Sequence, residues 1–201
     1  MFIQIIKGKV ADAGTFQQAS DAWERDVRPT TEGYLGATVG VTADNTFIIS
    51  ARFENAEAAE KNNDGPAQLA WMEKWSPTMT DVEFHNCSQV VLLGGGGSND
   101  AGFVQVMVGK VKDRAKFDAL NDRADEMTKT FESWRDDVLG DVVAVHDDDD
   151  GYHDIIYFKS EAEARAAEKS EPPAAVQALM AELEAAAEIV AYLDLSNPVL
   201  N

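Results

Sequence analysis

Several stretches of this 201-residue chain bring together side chains able to do chemistry. The densest is His146-Asp147-Asp148-Asp149-Asp150-Gly151-Tyr152-His153-Asp154, where imidazoles and carboxylates stand together as they do around metal ions. A calcium loop needs acidic ligands at its first and twelfth places around a central glycine. With Gly151 in the sixth place those positions fall on His146 and Tyr157, so the stretch reads as an acid-rich hairpin turn and no metal site is assigned. Gly94 to Gly97 is followed by no Lys-Ser/Thr pair and opens no G-x-G-x-x-G helix, so it is not a phosphate loop. No Ser-His-Asp order is present, and Cys87 lies in a strand pattern, where it reads as a small buried apolar residue. Gln4 shares a strand face with Phe2 and Ile6, and Gln105 with Phe103 and Met107. An amide among apolar neighbours needs partners; it either lines a pocket or ties two elements together. Trp71 and Trp75, four apart on one helical face, are either packing or pocket wall.

The elements that must position these residues come twice. Residues 2 to 10 read FIQIIKGKV and residues 103 to 111 read FVQVMVGKV, at a shift of 101 that also matches Asp12 with Asp113, Phe16 with Phe117 and Asp21 with Asp122. Farther on, Leu35-Gly36 answers Leu139-Gly140 and Phe53 answers Phe158. Such self-similarity marks a unit of about 100 residues written in tandem. In each copy an alternating strand is followed by an amphipathic helix, with Phe16, Ala19, Trp23 and Val27 on the stripe of the first. Two β-rich runs follow, 35 to 42 with 46 to 53 and 138 to 146 with 152 to 158, which predict hairpins. A second helix is predicted over about 55 to 62 and 66 to 75, and over 160 to 170 and 173 to 187, with Pro66 and Pro173 in a first helical turn. Strands at 81 to 93 and 188 to 195 complete β-α-β-β-α-β.

That order is the split βαβ, ferredoxin-like arrangement, an antiparallel sheet with both helices on one face. The expected class is α+β: two tandem ferredoxin-like units, 1–95 and 101–201, joined by a glycine-rich linker at 94–100. One copy leaves the other face of its sheet bare. Packing the two sheets against each other, as a dimer within one chain, would remove that apolar area from water. Whether such pseudo-dimers assemble further is open.

With 36 acidic against 17 basic residues the formal charge is −19. That argues against nucleic acid or an anionic membrane as partner, since both call for a clustered positive surface. A single cysteine forms no internal disulfide. No leader pattern precedes the first strand, and no apolar run reaches the ~20 residues that span a bilayer. The expected setting is the cytoplasm.

The opening FIQIIKGKV, the Gly33-Tyr34-Leu35-Gly36 segment feeding the second strand, the Arg52-Phe53-Glu54-Asn55-Ala56-Glu57-Ala58 run into the second helix and the closing strand together carry a resemblance. The chain resembles the dimeric α+β barrel superfamily, in particular the antibiotic biosynthesis monooxygenase-like domains, over nearly its whole length. That resemblance implies one of several activities: cofactor-free oxygenation of phenols and quinols, haem degradation, small isomerisations, or none. The haem-degrading branch carries a Trp four positions before an Asn-Gly-Pro proline, a haem-ligating His five positions after it, and a first-strand Asn. This sequence has Asn62, Trp71 and, near the last, Lys7. Copy two, with Pro173 and Ala178, fits no better, so haem degradation is set aside and no cofactor is expected.

A cofactor-free oxygenase asks the protein mainly to bind, orient and exclude water. On that reading the resemblance implies a pocket in copy one for a small apolar, aromatic or polyketide-like ligand. Its walls are Trp71, Trp75 and Tyr34, its polar contacts Gln4, Asn62 and Arg52, and His85 its general base, since an imidazole titrates near neutrality. His85 alternates with Phe84 on the last strand, where a solvent-facing or hydrogen-bonded role is the simpler one. Copy two has Ala178 and Glu182 in place of the Trp pair and Tyr192 in place of His85, so copy one is the better candidate. The rival reading is a non-catalytic ligand-binding or structural protein. Haem held by His85 without degradation is a third, which a haem titration would test.

Overall fold

The computed structural model describes all 201 residues, and they divide into two compact units: residues 1–88 with 198–201, and residues 89–197. No helix is long and apolar enough to cross a membrane. The first unit runs β1 (Phe2–Val10), α1 (Ala13–Asp26), β2 (Tyr34–Val41), β3 (Thr46–Phe53), α2 (Ala56–Asn63), α3 (Pro66–Trp75) and β4 (Met79–Cys87). The second begins with β5 (Gln89–Leu93) and continues β6 (Phe103–Val111), α4 (Arg114–Asn121), α5 (Ala124–Glu132), β7 (Val138–Val145), β8 (Gly151–Phe158), α6 (Glu161–Ala167), α7 (Ala174–Ala186) and β9 (Ala187–Leu195). The last strand, β10 (Val199–Leu200), belongs to the first unit. Each unit holds one antiparallel five-stranded sheet, ordered β10-β2-β3-β1-β4 and β5-β7-β8-β6-β9. The fold is α+β, a tandem duplication of the ferredoxin-like unit.

The repeat read in the sequence recurs as repeated physics. Asp12 and Asp113 are both N-caps, accepting hydrogen bonds from Thr15 N at 2.8 Å and Lys116 N at 3.2 Å. Such a carboxylate satisfies an amide that the first helical turn leaves unpaired. Gly8 and Gly109 lie on the first strand of each copy, where a Cβ would stand 2.7 Å from the Phe47 ring and 2.2 Å from that of Tyr152. Glycine there lets an aromatic ring lie flat on the strand. Those rings meet helix aromatics in turn, Phe47 with Phe16 and Tyr152 with Phe117, both at 5.1 Å. Phe2 faces Phe53 in one sheet as Phe103 faces Phe158 in the other.

Three differences from expectation have local causes. The strand predicted over 81 to 93 is two strands: β4 pairs with β1, and after Ser88 the chain continues as β5 on β7. Each sheet is thus closed beside its second strand by the segment that ends the other copy, so the compact units do not coincide with 1–95 and 101–201. The glycine run expected as a linker is a held turn, with Gly94, Gly95 and Gly96 at positive φ. Gly96 N donates to Leu93 O and Gly94 N to Thr128 Oγ1, each at 3.0 Å. Finally, the first helix of copy two breaks into α4 and α5 at Asp122-Arg123, where Arg123 N donates to Leu120 O in a tighter turn.

Candidate functional site

In the first unit a cavity of about 80 Å³ lies between the sheet and the helices. Its floor is one face of three strands: Gln4 and Ile6 of β1, Tyr34, Ala37 and Val39 of β2, and Ile49, Ala51 and Phe53 of β3. Strand residues alternate between faces, and the register places Gln4 opposite Ala51 and Ile6 opposite Ile49. Its roof is Phe16, Ser20, Trp23 and Glu24 of α1, Asn62 and Asn63 at the end of α2, and Gln68 and Trp71 of α3.

The aromatic walls are held by hydrogen bonds at their polar ends. Trp23 Nε1 donates to Gln68 Oε1 and Trp71 Nε1 to Ala19 O, both at 2.8 Å. Both indoles are therefore fixed against α1 and α3, with their apolar bodies left to the cavity. The Tyr34 ring stands between Trp23 at 5.0 Å and Phe53 at 5.7 Å. Its hydroxyl donates to Asn201 Oδ1 at 2.9 Å, and Asn201 Nδ2 donates to Glu24 Oε1 at 2.7 Å. Arg28 donates to the other oxygen, Glu24 Oε2, at 2.7 Å. Burial, then the neighbouring Glu24 charge, raises the Tyr34 phenol above its ordinary range, so it stays neutral and serves as a donor.

Of the residues singled out in the sequence, Gln4, Tyr34, Asn62 and Trp71 line this cavity. Gln4 Nε2 donates to Asn86 Oδ1 at 3.1 Å, and Asn62 Oδ1 accepts from Thr31 Oγ1 at 2.8 Å. Arg52, Trp75 and His85 do not line it. His85 is in register with Ile5, and Arg52 with Ile3. Both therefore stand on the sheet face opposite Gln4, and Arg52 donates to Asn201 O at 2.5 Å. Trp75, in the last turn of α3, carries Lys74 Nζ over its ring at 4.8 Å. A pocket-facing general base at position 85 thus has no geometric support, and the carboxylate that does line the cavity is Glu24. Trp23 was visible in the sequence as part of the α1 stripe, whereas Gln68 and Glu24 enter only through the packing of α1 on α3.

In the second unit the acid-rich stretch is the β7-β8 turn. His146 and His153 are buried and stacked at 5.0 Å, with Nε2 of the first 2.9 Å from Nδ1 of the second. His146 Nδ1 lies 2.8 Å from Asp149 Oδ1, which also accepts from Gly151 N. Two imidazoles and one carboxylate thus close the hairpin from within.

No protein-family model and no curated protein matches the sequence. Solved structures do match at full length. A candidate monooxygenase from Lactobacillus acidophilus is 13% identical with a TM-score of 0.71, the match covering 100% of this chain and 98% of that one. Another from Fusobacterium nucleatum is 11% identical with a TM-score of 0.71, covering 100% and 93%. An anthrone oxidase-like protein is 13% identical with a TM-score of 0.68, covering 99% and 92%. At these identities what is shared is the fold: this chain has the duplicated α+β architecture of those proteins, in agreement with the antibiotic biosynthesis monooxygenase-like resemblance of its sequence.

Proposed function

We propose that the first unit binds a small, electron-rich single-ring phenol and oxygenates it without a cofactor. The observation that carries this reading is the cavity itself: Trp23, Trp71, Tyr34 and Phe16 surround an apolar space with the amides of Gln4, Asn62 and Gln68 at its edge. Such a setting suits a flat ring bearing one or two hydroxyl groups. Size narrows the class. A single water takes on the order of 10–15 Å³ of such space, so a cavity of about 80 Å³ suits one ring better than a fused polyketide skeleton.

Deprotonation of a resorcinol-type phenol puts electron density on a ring carbon, which can meet dioxygen directly. One oxygen atom enters the ring as a carbonyl, the other leaves as water, and the substrate supplies all the electrons. On this reading Glu24, the carboxylate that lines the cavity, takes the phenol proton. The likeness of fold to proteins named as monooxygenases and as anthrone oxidase-like supports the reaction class. A cytoplasmic setting belongs to the same reading and is supported by the single, buried Cys87. Binding without turnover is the second reading, favoured by the engagement of both Glu24 oxygens, one by Asn201 and one by Arg28.

Titration with resorcinol, followed by tryptophan fluorescence and by oxygen uptake, tests both. Quenching should saturate and be lost in Trp23→Leu and Trp71→Leu. Oxygen uptake should vanish in Glu24→Gln and survive His85→Ala. Quenching without uptake selects the second reading, and no quenching in the wild-type chain removes both.

A further inference from the structure

The second unit differs from the first at the place that corresponds to the cavity. Phe53 and Phe158 hold equivalent positions opposite Phe2 and Phe103, so Ile49 corresponds to Asp154. The bulges at Tyr34/Gly36 and Val138/Gly140 likewise align Ala37 with Asp141. Ala37 and Ile49 line the first unit's cavity. In the second unit two carboxyl groups take the place of their apolar side chains. Asp154 is in register with Val143 and Asp141 with Ile156, so both side chains stand on one sheet face, diagonal to each other.

The two carboxyl groups share a hydrogen bond. Oδ1 of each is buried and receives no hydrogen bond from any other group. Asn121, which answers Ser20 of the first unit's cavity, has its Nδ2 buried and unpartnered as well. Native interiors rarely leave such atoms unmatched. Gln105, Met107, Asp141, Asp154 and Ile156 are nevertheless all partly accessible, as are Gln4, Ile6 and Ile49 around the first cavity. This face of the second sheet is therefore not sealed from solvent. Burial raises both carboxyl groups above the ordinary carboxylate range, and mutual repulsion adds to the effect at Asp141. A close pair of this kind retains a proton between its members and carries a single negative charge.

We propose that the second unit holds a ligand site of its own, in which Asp141 and Asp154 take a small primary ammonium compound with an apolar body. An ammonium group supplies further donors for both buried oxygens and matches the single charge. Tyr152 lies two residues along the same strand face, with Phe117 tilted against it at 5.1 Å, so the apolar body of the ligand would meet the edge of an aromatic core. A calcium ion would take six or more oxygen ligands, more than two carboxyl groups present. Gln105, beside the pair, is engaged by Asp194 at 2.9 Å and leaves the site to the two acids.

Benzylammonium is the probe, titrated into the full chain and followed by calorimetry, with benzyl alcohol as its neutral counterpart. Saturable binding of the ammonium but not the alcohol is expected. It should weaken about tenfold or more in Asp154→Asn and in the double variant Asp141→Ala/Asp154→Ile, which carries the first unit's residues. Trp71→Leu, in the other cavity, should leave it unchanged, which separates this site from the phenol site. Circular dichroism confirms that the variants fold. No saturable binding at millimolar benzylammonium, or equal binding by the double variant, would overturn the proposal.

Discussion

Gln4 and Ile5 are adjacent in the chain and stand on opposite faces of β1, and that parity decides which side chains of the neighbouring strands can reach the cavity. The alternation of Phe2, Gln4 and Ile6 is legible from the sequence alone, but the side of the sheet to which that face turns is not; the cavity lies over Gln4 and Ile6. The parity of His85 was not legible, because it depends on register with β1, and that register shifts at a bulge between Lys7 and Lys9. Asp141 and Asp154 were invisible for a related reason: separately each reads as an ordinary polar residue of a hairpin, and only pairing brings them together. Their burial carries a cost that can be measured. A carboxyl group whose folded pKa is raised above its unfolded value contributes stability below the unfolded pKa and loses that contribution as pH rises through the folded one. Asp141→Ala/Asp154→Ile should therefore be more stable than wild type near neutral pH by about 1–4 kcal/mol, the range seen when buried charges give way to apolar residues. The gap should close on acidification towards the ordinary carboxylate range. Urea unfolding across pH checks this, and a double variant less stable at neutral pH would show that the pair holds the unit together.

At the scale of elements, the tandem repeat made most of the fold legible, because caps, strand patterns and helix stripes recur in step. Gly8 and Gly109 show how far the correspondence reaches, each making room for a ring on the next strand, Phe47 or Tyr152. At Gly8 a Cβ would also stand 2.9 Å from Thr80 O on β4. Backbone on one side and a packed ring on the other leave no cheap way to yield. Gly8→Ala should destabilise the first unit by about 1–3 kcal/mol, the usual cost of overpacking. Chemical denaturation measures it, and a neutral result would mean that Phe47 can move aside. The break at Ser88 was not legible. Val90-Val91-Leu92-Leu93 follows the alternating pattern of β4 across Ser88 with no Gly or Pro to mark a turn, and only a choice of tertiary partner, β7 over β1, divides the two.

At the scale of the whole molecule, the two copies are not closed on themselves: β5, from the end of copy one, completes the second sheet, and β10, from the end of copy two, completes the first. The bulge glycines serve both closures. A Cβ on Gly36 would stand 2.0 Å from Asn201 O, and one on Gly140 would stand 1.8 Å from Gly96 O. In the first unit this closure reaches the cavity directly. Asn201 exchanges two 3.1 Å backbone bonds with Ala37, accepts from Tyr34 and donates to Glu24, so one residue joins the edge of β2 to the cavity's phenol and carboxylate. Deleting residues 198–201 should therefore do two things together. The amide of Ala37 should lose its protection from hydrogen exchange while those of Val142 and Val143 in β7 keep theirs, because a β2 edge left without β10 has no strand to pair with. Resorcinol binding should weaken as well, since the Tyr34 hydroxyl and Glu24 lose their shared partner. Unchanged protection at Ala37 would mean that β10 adds nothing to the sheet. Lost protection with undiminished binding would detach the cavity from the strand that closes it.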